Sequence, residues 1–137
     1  MKNSAFSLLE ILIVLIILAT LASIGYINYS GVRQSALDRE AEGNLELIIA
    51  AERIYFMEYG QYYDSAGASV PEEIGNINSF LKLAIQSGGN LNWQYKTEVY
   101  GPAPFSACAQ ATNSQDVTDT WSMQNTDTEP VEGGSCP

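Results

Sequence analysis

The feature that most constrains this chain is a run of 22 residues, 6–27, that is apolar almost throughout and carries a single charge, Glu10. As an α-helix such a run extends for about 33 Å, enough to cross the hydrocarbon core of a bilayer. A carboxylate within hydrocarbon costs a few kcal/mol, so groups of this kind are usually partnered or drawn to an interface. Glu10 falls in the first turn of its helix, where the macrodipole favours negative charge. Within one chain, the nearest cation on offer is an amine at the start of that same helix.

The helical pattern continues but changes character. Leu37, Ala41, Leu45, Ile48, Tyr55 and Tyr59 recur at steps of three, four and seven and build one apolar stripe, with Asp38, Glu42, Glu46 and Arg53 lying off it. No proline occurs before Pro71, so nothing forces a break. Gly25, Gly31 and Gly43 weaken the helix by about 1 kcal/mol each relative to alanine. One helix is therefore expected over residues 6–59, with a membrane-grade half at 6–27 and an amphipathic half at 28–59. Gly60 ends it, and residues 61–77 read as loop. A short second helix is predicted over 78–87, capped by Asn78 or Ser79, with Phe80, Leu81, Leu83, Ala84 and Ile85 as its apolar residues. Gly88 and Gly89 stop it.

The last third alternates with a period of two. Leu91, Trp93, Tyr95, Thr97 and Val99 face one way and Asn92, Gln94, Lys96 and Glu98 the other. After a turn at 100–104, Phe105, Ala107, Ala109 and Ala111 share a face opposite Cys108, and a third strand carries Trp121 and Met123 inward. Three short consecutive strands with tight links favour an antiparallel meander. Its apolar face needs a cover, and the stripe on the long helix is available. The fold class is thus α+β. The tail, 126–137, has little periodicity.

Composition narrows function. Sixteen acidic residues against six basic ones give a net charge of −10, a surface that repels phosphate backbones, so no direct nucleic-acid binding is expected. The chain has no histidine, which removes the usual general base and the commonest zinc ligand. With no nucleophile motif and no glycine-rich phosphate loop either, nothing favours an enzyme or a cofactor. The two cysteines, Cys108 and Cys136, combined with an export segment at the other end, read as one disulfide made outside the cytoplasm. Such a loop closure contributes roughly 3–4 kcal/mol in the chain-entropy model. Asp116, Asp119, Asp127 and Glu129 would suit calcium as oxygen ligands, but their spacing matches no compact calcium loop, and they read as acidic surface loops with no metal. Tyr26 and Tyr29 suit a membrane–water boundary. Tyr55, Phe56, Tyr59, Tyr62 and Tyr63 read as packing under the sheet or facing the loop.

The stretch SAFSLLEILIVLIILATLASIGY resembles the N-terminus of type IV prepilins and the related pseudopilins. The resemblance implies a leader of residues 1–5 with Lys2 as its charge, and a cut between Ala5 and Phe6 by a membrane prepilin peptidase. It further implies N-methylation of Phe6 and pairing of Glu10 with the Phe6 amine of a neighbouring subunit during filament assembly. ERIYFMEYGQYYDS is similar to the helix end and following loop of many pilins. The implied architecture is a pilin-like lollipop: a long helix packed on a small antiparallel sheet in a head of residues 60–137, stapled by a C-terminal disulfide. Two residues depart from the family pattern: Ala5 stands where a glycine is usual, and Ile27 where many members have proline. The implied function is a structural subunit of a type IV pilus, a homo-oligomeric filament drawn from the bacterial inner membrane by its assembly machinery and ending outside the cell. The alternatives are a pseudopilin of a type II secretion system, or an exported binding domain on a plain anchor or behind an ordinary signal peptide cut after Ala22.

Overall fold

The computed structural model describes residues 7–64, 73–101 and 106–137, with the side chains at 24–28, 30 and 73 outside the description. The expected leader with Ala5, Phe6, the side chain of Tyr26, residues 65–72 and residues 102–105, where part of a turn and Phe105 are expected, therefore lie outside the described residues. The chain divides into two compact units, Met1–Ala36 and Leu37–Pro137, and each is taken by itself.

A first helix, α1, runs unbroken over Leu8–Tyr59, 52 residues. Its start is built by Ser7: the hydroxyl accepts the Leu9 N–H at 3.3 Å, and the carbonyl accepts the Glu10 N–H at 3.0 Å. This is the N-cap arrangement that satisfies the otherwise orphaned first amides. Its end is set by Gly60, whose φ of 71° suits the left-handed cap and whose N–H donates to the Phe56 carbonyl at 2.8 Å.

In the second unit, α2 spans Glu73–Leu81, and four strands follow: β1 Trp93–Tyr100, β2 Ser106–Asn113, β3 Thr120–Gln124 and β4 Val131–Glu132. They form one antiparallel sheet in sequence order. The core joins Ala41, Leu45, Ile48 and Ile49 of α1, Ile74, Ile77 and Leu81 of α2, and Trp93, Tyr95, Ala109, Ala111, Trp121 and Met123 of the sheet. Register explains the residue choice: Ala111 of β2 sits between Tyr95 of β1 and Trp121 of β3, a small residue flanked by large ones. Each fully buried large side chain contributes about 1.5–3 kcal/mol relative to exposure. The Trp93 indole N–H donates to the Leu37 carbonyl at 2.8 Å, and the Asn44 side-chain amide donates to the Tyr95 hydroxyl at 2.8 Å. Tyr95 is thereby held in the core with its ionisation pushed up to about 12 by burial.

Four details differ from the sequence expectation. The second helix lies earlier, at Glu73–Leu81, and Asn78 does not cap it. Instead the Asn78 side chain accepts the Ile85 N–H at 3.0 Å and donates to the Ile85 carbonyl at 2.6 Å. That clamp pulls Leu83–Ile85 into an extended segment behind Lys82, whose φ is 57°. Tyr59 leaves the stripe and is 57% exposed. On β2, buried positions run continuously from Ala107 to Ala111, because the tail covers the face that carries Cys108. The Cys136 N–H donates to Gln110 Oε1 at 3.2 Å, and the disulfide joins Cys108 to Cys136 with Cα atoms 5.7 Å apart. The tail also supplies β4, a fourth strand its sequence did not announce. Gly134 makes this close approach possible: a Cβ there would stand 2.2 Å from Ser122 Oγ and 3.0 Å from the Val131 carbonyl.

Candidate functional site

In the first unit, the described side chains from Leu8 to Leu21 are exposed, as a lone apolar helix must be. The few polar groups of its apolar stretch, within residues 7–23, are nearly all satisfied within the helix. The Thr20 hydroxyl donates to the Ile17 carbonyl at 2.8 Å and the Ser23 hydroxyl to the Ala19 carbonyl at 3.0 Å. This back-bonding lets hydroxyls enter an apolar medium without an open donor. Ser7 is occupied at the cap. Glu10 is the exception: it is acidic in the first turn of α1, exposed, and its carboxylate meets no partner among the described residues. Ala5 and Phe6, expected to flank the cut and to supply the amine, lie outside the described residues. Among the described residues, no helix is long and apolar enough to cross a membrane; the span over 6–27 remains a reading of the sequence.

A second carboxylate sits in the other unit, and the sequence reading passed over it. Glu52 belongs to the α1 stripe, four residues after Ile48 and three before Tyr55, and is 0% exposed. Its Oε2 accepts the Tyr63 N–H at 2.9 Å, while Oε1 has no hydrogen-bond partner. Burial pushes its pKa up to about 7; the Tyr63 N–H opposes that shift and the charge of Asp64 adds to it. Chemically, Glu52 is a tether: it ties the chain just past Gly60 back to the helix. Aromatic rings close the same region, with Tyr63 against Phe80 at 4.7 Å and Phe56 against Tyr62 at 4.6 Å. The signal was present in the seven-residue step from Ile48 to Tyr55, which leaves room for one more inward position at 52.

Arg53, expected off the stripe, is exposed and reaches the sheet, donating to the carbonyls of Asn125 at 2.9 Å and Asp127 at 3.4 Å. The acidic positions considered for calcium have local employment. Asp116 Oδ1 accepts the Thr118 N–H and hydroxyl, bonds that draw its pKa down. Asp119 Oδ2 accepts from Asn113, and Asp127 Oδ2 accepts the Gln124 N–H. No group of three or more potential metal ligands gathers among the described residues.

A long helix, followed by a helix-covered, disulfide-bonded antiparallel sheet, defines an α+β protein. Residues 1–26 match the family model of the prokaryotic N-terminal methylation motif, the signature of type IV pilins and pseudopilins. Over that stretch the chain is similar to type IV pilins and pseudopilins, and the motif implies processing by a prepilin peptidase and assembly into pilus-like filaments. No curated protein and no solved structure matches the chain.

Proposed function

We propose that this protein is a structural subunit of a type IV pilus or pilus-like filament, acting mechanically. The observation that carries the reading is Glu10, the one polar group of the described apolar stretch left without an internal partner. In this reading residues 1–5 form a leader, cleavage falls between Ala5 and Phe6, and the new Phe6 amine is methylated. Residues 6–27 rest in the bacterial inner membrane, residues 28–59 form the amphipathic half of the helix, and the head, 60–137, lies outside the cytoplasm. The Cys108–Cys136 bond supports that side, since disulfides persist in oxidising compartments. During assembly the apolar helices exchange lipid for identical neighbours, and Glu10 of one subunit meets the Phe6 amine of another. A contact between two different surfaces does not close, so repetition gives a filament.

The experiment is expression with a pilus assembly machinery, followed by shearing, electron microscopy and immunoblotting of fibres and membranes. Long surface fibres made of this chain support the pilus. Short periplasmic filaments seen only with a type II secretion system would move the assignment to a pseudopilin, which carries the same N-terminal motif. A chain that stays in the membrane and never polymerises would point to the anchored binding domain.

A further inference from the structure

Among the described residues Glu52 is the one charged side chain that is buried. What reaches its carboxylate is a short stretch, residues 61–64, that forms neither helix nor strand. This stretch leaves α1 at Gly60, where φ is 71° and nothing lies within 4 Å of the place a Cβ would take. Such a glycine is a free pivot. Beyond it the Tyr63 N–H donates to Glu52 Oε2 at 2.9 Å. The Tyr63 ring stacks on Phe80 at 4.7 Å and meets Tyr55 edge-on at 6.2 Å. The Tyr62 ring stacks on Phe56 at 4.6 Å, and its hydroxyl accepts the Asn125 side-chain amide at 2.9 Å. One hydrogen bond to a carboxylate and a few ring contacts thus hold the stretch down.

A single donor for two oxygens suits a neutral carboxyl and not a carboxylate. Oε1 has no hydrogen-bond partner, and an enclosed charge with one N–H is far more costly than its protonated form. The surrounding groups do not offset that cost. The stretch itself brings Asp64, whose charge adds to it, and the phenols of Tyr62 and Tyr63. On α1, Arg53 is spent on the carbonyls of Asn125 and Asp127, while Tyr55 and the exposed Glu58 lie towards the helix end. α2 has no charged residue from Ile74 to Leu81, and β2 and β3 have none; Lys82, just after α2, is exposed. On β1, Lys96 and Glu98 pair with each other at 2.6 Å, and the Tyr95 hydroxyl accepts from Asn44. In the β3–β4 turn the Asp127 carboxylate accepts the Gln124 N–H.

We propose that residues 61–64 are a proton-controlled strap, closed over Glu52 while the carboxyl holds its proton and swung away about Gly60 once it ionises. Opening lets water reach the carboxylate, takes Asp64 away from it, and uncovers the faces of Phe56 and Phe80 on which Tyr62 and Tyr63 stack. The end of α1 keeps its cap, because the Gly60 N–H bond to the Phe56 carbonyl lies before the pivot. The direction with pH follows from where the proton is held. In the closed strap burial lifts Glu52 from an ordinary 4.5 to about 7; in the open strap the group is hydrated and returns to the ordinary range. Closure is therefore fullest in acid and is lost as pH rises to about 7. This device belongs to the head alone and stands whether or not the chain polymerises.

The test is amide hydrogen exchange by NMR on the full chain in detergent, read as protection factors, which divide out the direct effect of pH on exchange. Between about pH 5 and about pH 8 the protection of the Tyr63 amide falls roughly tenfold to a hundredfold. At the higher pH it stays flat in low urea, the mark of a local opening, while the core amides of Leu45 and Ala111 lose protection as urea is added. Glu52→Gln removes the pH effect at Tyr63. Asp64→Asn, at an exposed position, lessens it, and this variant decides the matter should Glu52→Gln fail to fold. Tyr63 protection that does not change with pH would overturn the proposal. So would a fall that follows Leu45 and Ala111 through urea, which is global unfolding, or the same fall in Glu52→Gln or undiminished in Asp64→Asn.

Discussion

In the unit that ends at Ala36, the large apolar side chains from Leu8 to Leu21 are exposed, hydroxyls fold back onto their own helix, and a carboxylate in the first turn has no partner among the described residues. In the unit that begins at Leu37, the same helix buries Ala41, Leu45, Ile48 and Ile49. There a second carboxylate, Glu52, is enclosed with one hydrogen bond and a pKa near 7. The difference is where each unit finds its second surface. The head contains its own, supplied by the sheet and tail. The apolar helix lacks one among the described residues, and in the proposed filament its burial comes from lipid or from other copies. Glu10 and Glu52 are the two probes of that contrast.

The largest expected effect is on Glu10. Glu10→Val should leave the membrane-inserted pool intact, since it removes an insertion cost, while filament recovery falls to background in shearing assays. Unchanged filaments would break the contrast, because the carboxylate would then need no second copy. In the head, Cys136→Ser should lower stability by about 2–5 kcal/mol, read as a lower urea midpoint by tryptophan emission, and should release β4 and the cover over Cys108.

Glu52 sharpens the comparison through pH. Its folded pKa is raised to about 7 from an ordinary 4.5. Below about pH 4.5 both states hold the proton; between 4.5 and 7 the unfolded state releases it while the folded state keeps it. The contribution of Glu52 is therefore full at low pH and is lost as pH rises through 7, a change of about 3 kcal/mol. Denaturation of the detergent-solubilised chain at pH 5 and pH 8 should show the wild type losing stability relative to Glu52→Gln, which has no proton to lose. A parallel pH profile for the two proteins would show that Glu52 is not enclosed. Smaller still, Gly134→Ala should cost about 1–2 kcal/mol through the crowding against Ser122 and the Val131 carbonyl. Thr20→Val, on the apolar helix, should stay within about 0.5 kcal/mol.

Much of this was legible in the residues. The α1 stripe through Leu37, Ala41, Leu45 and Ile48 and the alternation of Trp93, Tyr95 and Thr97 follow from periods of 3.6 and 2. Trp121 and Met123 could be placed inward for the same reason. What escaped is what periodicity cannot encode. Asn78 as a clamp on Ile85 depends on a side-chain hydrogen bond across seven residues, and without it the run from Phe80 to Ile85 looks helical. The strand at Val131–Glu132 exists because β3 offers an edge and the disulfide brings the tail to it. Glu52 was hidden by its charge, since a carboxylate on an inward position is counted as outside unless the stripe is allowed to include it. The candidate site divides similarly. Glu10 stands out in sequence because its surroundings are so uniform, whereas the strap over Glu52 needs the end of α1 and the segment after Gly60 folded together.

The central claim is that Glu10 is provided for by the amine of a processed neighbour, so the identity of the mature N-terminus decides it. Intact mass and N-terminal fragmentation of the protein extracted from membranes measure cleavage, methylation and cysteine oxidation together. The account predicts a chain that lacks residues 1–5, begins with N-methylated Phe6 and keeps the Cys108–Cys136 bond. A chain beginning at Met1 or at Ser23 would contradict it.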